Sequence, residues 1–417
     1  MKKRSVNTWL DISPESDFSI HNLPYGVFST PSRRPRVGVA IGDQIIDLAA
    51  VAMRGYFQSL SIELEILEQP SLNAFIQLGK PTWQAVRKRL TDWLTQTDSP
   101  LQHFRKECFV AQSGAKMHLP LEIGDYTDFY ASEAHATNVG TMFRGKENAL
   151  MPNWKHMPIA YHGRASSIVV SGTDIHRPKG QIMPKDSDQP IFSPTQSLDF
   201  ELEIAAVVGK DSELGSSLRP EEMEDYIFGF VLFNDWSARD IQRWEYVPLG
   251  PFLGKNFASS ISPWIVPLEA LEPFQVDGSE QQPEPLPYLQ TSDNCNFDIT
   301  LEVAIQPEGE SEAVVSRTNF RNMYWSVGQM LAHHTVNGCN MRVGDLLASG
   351  TISGNEPSSY GSLLELSWNG ERPLKINANQ TRTYLEDGDT VTLRGCAEKE
   401  GIRVSFGEVR TKILPSL

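Results

Sequence analysis

Cysteine is scarce in this 417-residue chain, and the few cysteines lack the spacing of a metal or disulfide framework. They are Cys108, Cys295, Cys339 and Cys396. Because no two of them form a Cys-x-x-Cys pair, the sequence predicts neither a zinc knuckle nor a set of disulfide bonds. Scattered cysteines of this kind fit a reducing compartment, so we predict a cytoplasmic protein.

Positive charge and long apolar runs are also lacking. The chain has 37 Lys and Arg against 52 Asp and Glu, which gives a formal net charge of -15 and a pI near 5.1. Binding of nucleic acid needs clustered Lys and Arg, so we expect no nucleic-acid partner. The longest apolar run, at 226–233, is far shorter than the roughly 20 residues of a membrane-spanning helix. The stretch 5–13 is too polar for a signal peptide, and we predict a soluble protein without a membrane partner.

The most unusual stretch that is present, SLDFELEIAAVVG at 197–209, has the composition of a strand but carries two carboxylates. Side chains alternate along a strand, so Glu201 and Glu203 point the same way. Two like charges this close resist burial unless a hard cation such as calcium or magnesium relieves them. A half-exposed strand whose glutamates face water is the alternative, and the stretch alone leaves both interpretations open. The opposite face would carry Phe200, Leu202 and Ile204.

The pattern along the chain predicts an α+β protein dominated by sheet. Strand-like runs on both sides of Gly42-Asp43 indicate a hairpin in a small N-terminal β-barrel or sheet module. The helical spacing of apolar residues from Trp83 to Leu94 predicts a helix. This pattern ends near 117–120, so we divide the chain into domains 1–120 and 121–417.

Strands dominate the predicted second domain. The alternation at 298–306 is typical of an antiparallel strand, and one further helix is predicted at 319–336, ending at Asn337-Gly338. We expect strands again at 346–352, at 363–368 and within 384–407.

Two further carboxylates, a histidine and two cations stand in contexts that favour chemistry. Asp128 lies among aromatic residues, and Asp235 directly follows an apolar strand, where catalytic groups often lie. With Glu201 and Glu203 they would make four carboxylates, a donor set that suits calcium or magnesium. His135 could activate water as a general base, although a lone histidine is more often structural. Arg239 and Lys255 could stabilise a developing oxyanion.

Eight motifs together give the sequence a specific resemblance. They are GDYTDFY at 124–130, HATNVG at 135–140, MFRGKEN at 142–148, YHGRASS at 161–167, LDFELE at 198–203, NDWSARDIQ at 234–242, WEYVPLGPFLGK at 244–255 and LASGTISG at 347–354. In this order they resemble the fumarylacetoacetate hydrolase family, and the resemblance runs from about residue 16 to the C-terminus.

The resemblance implies a fold, an activity and an assembly. The expected fold is a small SH3-like β-barrel N-terminal domain with a helical connector, followed by a C-terminal mixed β-roll catalytic domain. The expected reaction is hydrolysis of the carbon–carbon bond of 4-fumarylacetoacetate, a small diketo acid, to fumarate and acetoacetate. This reaction ends tyrosine and phenylalanine catabolism. The expected assembly is a homodimer.

The resemblance also implies roles for individual residues. The general base would be His135, oriented by Glu365. Arg239, Gln242 and Lys255 would lie near the developing negative charge. The expected Ca²⁺ ligands are Asp128, Glu201, Glu203 and Asp235. The expected substrate contacts are Tyr130, Arg144, Tyr161, Gln242, Tyr246 and Thr351. A second ion, expected to be Mg²⁺, would lie at Asp235, Lys255 and Ser259, where the family pattern has threonine in place of serine.

Two alternatives remain at this point. The first is an enzyme of the same fold that acts on another acylpyruvate-type substrate, which the motif at 246–252 and the full-length N-terminal part disfavour. The second is a calcium-binding or scaffold protein without catalytic activity. A structural metal site would give no reason for His135, Arg239, Gln242 and Lys255 to accompany the ligands.

Overall fold

The computed structural model describes residues 8–291 and 295–417, and in it strands dominate over short helices. This confirms the predicted α+β, sheet-dominated class. Residues 5–7, the first part of the stretch 5–13 on which the signal-peptide argument rests, lie outside the described residues.

The N-terminal part contains a small antiparallel sheet and a run of helices. Gly42 has φ +59° in the turn between the second and third strands, which confirms the predicted hairpin. The strands are β1 (Tyr25–Thr30), β2 (Arg33–Ile41), β3 (Gln44–Asp47), β4 (Phe109–Ala111) and β5 (Lys116–His118). The helices are α1 (Leu48–Met53), α2 (Leu64–Leu67), α3 (Asn73–Ile76), α4 (Lys80–Thr95), α5 (Pro100–His103) and α6 (Arg105–Cys108). Helix α4 is the one predicted from apolar spacing, and it buries Trp83, Val86, Leu90 and Leu94.

The remainder of the chain forms most of the strands. They are β6 (Tyr126–Phe129), β7 (Ala160–His162), β8 (Ile168–Val170), β9 (Ile175–His176), β10 (Lys179–Ile182), β11 (Ile191–Pro194), β12 (Leu198–Asp199), β13 (Leu202–Val208), β14 (Ile227–Asp235), β15 (Ser237–Ala238), β16 (Ser259–Ile261), β17 (Trp264–Pro267), β18 (Gln275–Val276), β19 (Asn296–Phe297), β20 (Thr300–Gln306), β21 (Ala313–Asn319), β22 (Leu346–Ala348), β23 (Leu374–Lys375), β24 (Thr381–Arg382), β25 (Thr390–Lys399) and β26 (Ile402–Leu414). The helices are α7 (Glu133–Arg144), α8 (Met223–Tyr226), α9 (Arg239–Glu245), α10 (Leu268–Leu271), α11 (Val327–Thr335) and α12 (Leu363–Leu366).

One large sheet joins the two parts of the chain. Its central order is β4-β3-β2-β1-β17-β14-β13-β22-β6-β7, and β1 pairs with β17 through Tyr25 opposite Ile265 and Gly26 opposite Trp264. A Cβ at Gly26 would lie 2.6 Å from the Trp264 ring, so glycine permits this close pairing. A second sheet has the order β21-β20-β25-β26-β9. Strands β1 to β5 of the N-terminal part therefore belong to the same hydrogen-bonded sheet that carries the site described below.

Strand β13 separates two apolar cores. Leu202, Ile204 and Ala206 pack into the larger core, whereas Ala205 and Val207 pack into the core shared with the N-terminal part. This alternation is the one predicted for the strand, with Glu201 and Glu203 opposite the Leu202 and Ile204 face. The segment is interrupted, however, because the backbone N–H of Glu201 donates to the Asn234 side chain at 3.0 Å instead of extending the ladder.

Three predicted elements differ from the structure. The strand predicted at 346–352 is shorter, because β22 ends at Ala348. The predicted strand at 363–368 was wrong, since Leu363–Leu366 form helix α12, whose first turn is capped by the side chain of Ser362. A short apolar run of this kind does not distinguish a strand from a buried helix by periodicity. The helix predicted at 319–336 is shorter, because its first part forms the end of β21 and a 3-10 turn at Phe320–Asn322.

Within residues 8–291 and 295–417, no helix is both long enough and apolar enough to span a bilayer.

Candidate active site

Four carboxylates converge on one point of the large sheet. Asp128 lies on β6, Glu203 on β13, Glu201 just before β13, and Asp235 at the end of β14. One carboxylate oxygen from each residue lies within 4.8 Å of the others, and all four residues are buried. The interpretation of Glu201 and Glu203 as water-facing residues is therefore wrong. We call these four residues the carboxylate cluster.

Two cations compensate part of the cluster's negative charge. Lys255 Nζ lies 2.7 Å from Asp235 Oδ2 and also contacts Glu201. Arg239 Nη2 lies 2.8 Å from Glu201 Oε1. Burial alone would raise the pKa of Glu201, but Lys255 and Arg239 outweigh it and lower the value to about 2. Glu201 is therefore ionised at neutral pH.

The other side of the cluster is not compensated. Burial and the nearby Asp235 raise the pKa of Asp128 well above its ordinary value. Burial, Asp128 and Asp235 do the same to the pKa of Glu203. Crowded buried carboxylates of this kind must bind either protons or a cation.

The donor set fits a hard divalent cation. Asp128 Oδ1 and Glu203 Oε1 are buried and have no hydrogen-bond partner among residues 8–291 and 295–417, which is costly unless another group occupies them. Glu203 Oε2 accepts a hydrogen bond from Gly350 N at 3.0 Å. Gly350 has φ +75°, and a Cβ there would lie 2.0 Å from the Phe129 carbonyl oxygen, so glycine is required. The free oxygens are ligands of the type that Ca²⁺ and Mg²⁺ prefer.

A histidine–glutamate pair lies next to the cluster. His135 is buried in the first turn of α7, where its backbone N–H donates to Ser132 Oγ at 3.3 Å. Its ring Nδ1 lies 2.7 Å from Glu365 Oε2 on α12. The structure thus brings together two residues that are far apart in the sequence.

The surroundings of Glu365 keep its carboxylate ionised. Asn138 Nδ2 donates to Oε1 at 2.9 Å, and the hydroxyls of Ser353 and Ser362 each donate to Oε2 at 2.9 Å. Burial alone would raise the pKa of Glu365, but His135 and these donors hold it below its ordinary value. An ionised carboxylate only accepts, so Nδ1 of His135 carries a proton, and Nε2 is the nitrogen that accepts in the neutral ring.

The three residues predicted for a second ion also lie together. Ser259 Oγ donates to Asp235 Oδ1 at 3.0 Å, and Lys255 contacts Asp235 Oδ2. Tyr161, predicted as a substrate contact, donates its hydroxyl to Asp235 Oδ2 at 2.8 Å. Asp235 is therefore shared by all three side chains.

Several predicted substrate contacts border the same region. The ring of Tyr130 meets His135 edge-on, with centroids 5.3 Å apart. Gln242 Oε1 accepts a hydrogen bond from Arg239 Nη1 at 3.3 Å. Thr351 Oγ1, next to Gly350, is buried and has no hydrogen-bond partner in the part of the chain that the structure describes. A polar ligand could satisfy this hydroxyl.

The remaining predicted contacts lie at the edge. Tyr246 follows α9 and is 52% exposed. Arg144 donates to the backbone carbonyls of Asn148 at 3.1 Å and Ala149 at 2.6 Å. In the described part of the chain, neither side chain hydrogen bonds to the carboxylate cluster.

Sequence reasoning missed residues that support these groups. Asp199 is fully buried, and it accepts hydrogen bonds from Arg239 and from the first amides of α12. Asp199 lies two residues before Glu201, so strand alternation would have placed both carboxylates on the same face. Asn138, which holds Glu365, lies three residues after His135, the spacing of neighbours on one helix face.

The chain is similar to one family over nearly its whole length. Residues 21–120 match the model described as fumarylacetoacetase N-terminal, and residues 125–414 match the one described as fumarylacetoacetate (FAA) hydrolase C-terminal. A fumarylacetoacetase of Bos taurus is 53% identical over 415 residues, which cover 98% of this chain and 99% of that protein. Those of Homo sapiens and Arabidopsis thaliana are each 52% identical, over 415 and 417 residues, and cover 98% and 99% of this chain and 99% of each relative.

A solved structure shares the fold. The fumarylacetoacetate hydrolase EaFAH from psychrophilic Exiguobacterium antarcticum has a TM-score of 0.54 at 18% identity, and the match covers 94% of this chain and 99% of that one. Because the identity is low, this likeness concerns the fold alone.

Proposed function

The chain belongs to the fumarylacetoacetate hydrolase family, and we propose that it is an enzyme that hydrolyses 4-fumarylacetoacetate to fumarate and acetoacetate. Water adds to one carbonyl, the adjacent carbon–carbon bond breaks, and the released carbanion takes up a proton. The observation that carries the proposal is a buried carboxylate cluster with two partnerless oxygens beside a hydrogen-bonded His–Glu pair. The relatives of Bos taurus and Homo sapiens support this choice of substrate.

The carboxylate cluster is a metal site in this proposal. Asp128, Glu201, Glu203 and Asp235 would hold Ca²⁺, and a second ion, Mg²⁺, would lie at Asp235, Lys255 and Ser259. When bound, such a cation supplies positive charge that polarises the substrate's carbonyl oxygens. The partnerless oxygens of Asp128 and Glu203 support the first assignment.

His135 is the general base. Its Nδ1 is held by Glu365, so Nε2 can accept the proton of the attacking water. Glu365 orients the ring and stabilises the imidazolium that forms. Asn138, Ser353 and Ser362 support this role because they satisfy the other acceptor positions of the carboxylate.

The leaving group sets a second requirement. Cleavage next to a ketone expels a carbanion, which is tolerable only as an enolate whose oxygen meets positive charge or hydrogen-bond donors. Arg239, Gln242 and Lys255 would meet that oxygen. The remaining substrate contacts we propose are Tyr130, Arg144, Tyr161, Tyr246 and Thr351, of which Thr351 offers a buried hydroxyl without a partner.

Three further proposals concern the whole protein. We propose a cytoplasmic homodimer, with a structural domain at 1–120 and a catalytic domain at 121–417. The scattered cysteines support the location. The division is supported by two family matches that end at 120 and begin at 125.

The test is an ultraviolet assay of fumarylacetoacetate loss. We expect turnover that a chelator abolishes and added calcium restores. Asp128→Asn should abolish turnover, whereas Asp125→Asn should not, because Asp125 lies three residues away and pairs with Arg342 at the surface. Absence of turnover under every condition would favour another acylpyruvate-type substrate. Turnover that persists in chelator would contradict the metal's role.

A further inference from the structure

Asp199 is a fully buried carboxylate to which the proposed reaction gives no role. Its Oδ1 accepts from Leu363 N at 2.7 Å, and its Oδ2 accepts from Leu364 N at 3.0 Å. The same Oδ2 lies 2.8 Å from both Nε and Nη2 of Arg239. One side chain therefore binds the start of α12 and the guanidinium of Arg239 at the same time.

The first connection leads to the His–Glu pair. Helix α12 has only four residues, so few of its backbone groups can be satisfied within the helix. Asp199 accepts from its first two amides, and Glu365 lies one residue after Leu364. The position of the Glu365 carboxylate, and through it the His135 ring, therefore depends on Asp199.

The second connection leads to the carboxylate cluster. Arg239 Nε donates to Asp199 Oδ2, and Nη2 lies at ion-pair distance from the same oxygen, which restricts rotation of the guanidinium. This orientation places Nη2 at 2.8 Å from Glu201 Oε1 and Nη1 at 3.3 Å from Gln242 Oε1. Without Asp199, Arg239 could rotate toward Glu201 or away from the site.

A second buried Arg–Asp pair provides a matched comparison. Arg382 binds Asp389 through Nε and Nη2, each at 2.8 Å, and Asp389 also accepts from Glu386 N at 2.9 Å. Both side chains are buried. In the described residues, Asp389 contacts none of the residues placed in the site. Substitution of Asp389 therefore measures how the loss of a buried Arg–Asp pair changes stability, without a direct effect on the site.

We propose that Asp199 is a positioning residue. It holds the Arg239 guanidinium and helix α12, which carries Glu365, at a fixed distance from each other. The inference rests on the proposed function, because the general base and the enolate contact act in that reaction. Asp199 touches neither substrate nor metal in this scheme. It acts through Glu365 and Arg239.

The experiment compares Asp199→Asn with Asp389→Asn in the full chain. Asparagine keeps the shape but places an NH₂ group against a donor, so either Leu363 N, or Leu364 N together with Arg239, loses its acceptor. We expect kcat of Asp199→Asn to fall about 100-fold with KM little changed, as small misplacements of catalytic groups do. Asp389→Asn should keep kcat within about threefold of wild type, although it too loses a buried pair. Equal kcat values for the two variants, or a change in KM alone, would overturn the proposal.

A readout without substrate separates this inference from the proposed function. The proton on His135 Nδ1, bound to an anionic acceptor at 2.7 Å, should give a downfield NMR resonance in protein with ¹⁵N-labelled histidine. Asp199→Asn should shift or broaden this resonance, and Asp389→Asn should not. If wild type fails to cleave fumarylacetoacetate, the proposed function fails, while this comparison still tests Asp199. An unchanged resonance in Asp199→Asn would count against the link through α12.

A second variant covers the case in which Asp199→Asn does not fold. Asp199→Glu keeps the charge and both kinds of partner, but it places the carboxylate one methylene further from the backbone. We expect a fall in kcat on the order of tenfold and the same NMR change. Wild-type kcat in this variant would overturn the proposal.

Discussion

Glu203 and Glu365 are both fully buried glutamates, yet they differ in their hydrogen bonds and in the direction of their pKa shifts. Glu365 receives hydrogen bonds at both oxygens from His135, Asn138 and two serines, and its pKa is lowered. Glu203 receives one backbone hydrogen bond, its other oxygen has no partner within the described residues, and its pKa is raised. The first site is complete without any ligand, whereas the second requires a cation or a proton. The same side chain is therefore held by hydrogen bonds at both oxygens in one region, and in the other it has an oxygen without a partner among the described residues.

The largest effect should come from the member of the His–Glu pair that moves a proton. We expect His135→Ala to lower kcat by about 10³–10⁴-fold, the upper range for loss of a general base. Calcium affinity should be nearly unchanged, because His135 contributes no oxygen to the carboxylate cluster. Steady-state kinetics and calorimetric titration with calcium would measure the two quantities.

The control for this variant is His156→Ala, since His156 is exposed. Substantial turnover by His135→Ala would remove the base assignment. A large loss of calcium affinity would instead show that the two regions are not separate.

The next effect compares the two glutamates directly in chelator. Glu203→Gln should raise the free energy of unfolding by about 1–3 kcal/mol, because it removes an uncompensated charge and brings a donor toward Asp128. Glu365→Gln should lower it by about the same amount, because the amide cannot accept from all of its present donors. Chemical denaturation of both variants measures the difference. Changes of the same sign would contradict the contrast.

The pH dependence of stability should show the same contrast in weaker form. The pKa of Glu365 is lowered from 4.5 on folding, so its ionised form contributes stability at pH values above 4.5. That contribution should be lost as the pH falls through the lower folded-state pKa. The difference in unfolding free energy between wild type and Glu365→Gln should thus shrink as the pH falls below about 4. A difference that grows on acidification in that range would have the wrong sign.

Local pattern was sufficient for part of this contrast. Strand alternation placed Glu201 and Glu203 on one face, and the ends of apolar segments indicated Asp128 and Asp235 as candidates. Their convergence depends on the strand order β14-β13-β22-β6, in which β22 comes from more than 130 residues later in the chain than β13. The periodicity of a single segment gives no information about that strand order.

The His–Glu side of the contrast was less accessible to pattern. Glu365 lies in a run of leucines that predicted a strand, and its assignment depended entirely on family resemblance. Asp199 reaches the amides of α12 across 164 positions of sequence. Such contacts are set by tertiary packing, which overrides the local preference of a four-residue helix. Sequence reasoning therefore missed the residues that support Glu365, although it named all four residues of the carboxylate cluster.

The smallest expected effect tests whether Asp235 keeps its place in the carboxylate cluster without the hydrogen bond from Ser259. Ser259 Oγ donates to Asp235 Oδ1, and the family pattern has threonine at this position. Ser259→Ala should cost about 0.5–1.5 kcal/mol of stability, the usual value of one hydrogen bond, while calcium affinity stays close to wild type. Ser259→Thr keeps the hydroxyl and should restore stability, which makes it the matched control. Because Lys255 and Tyr161 still bind the other oxygen of Asp235, loss of the serine should not release the carboxylate. A large fall in calcium affinity in Ser259→Ala alone would show that Asp235 is held for the cation by Ser259, as Glu365 is held for His135 by its donors.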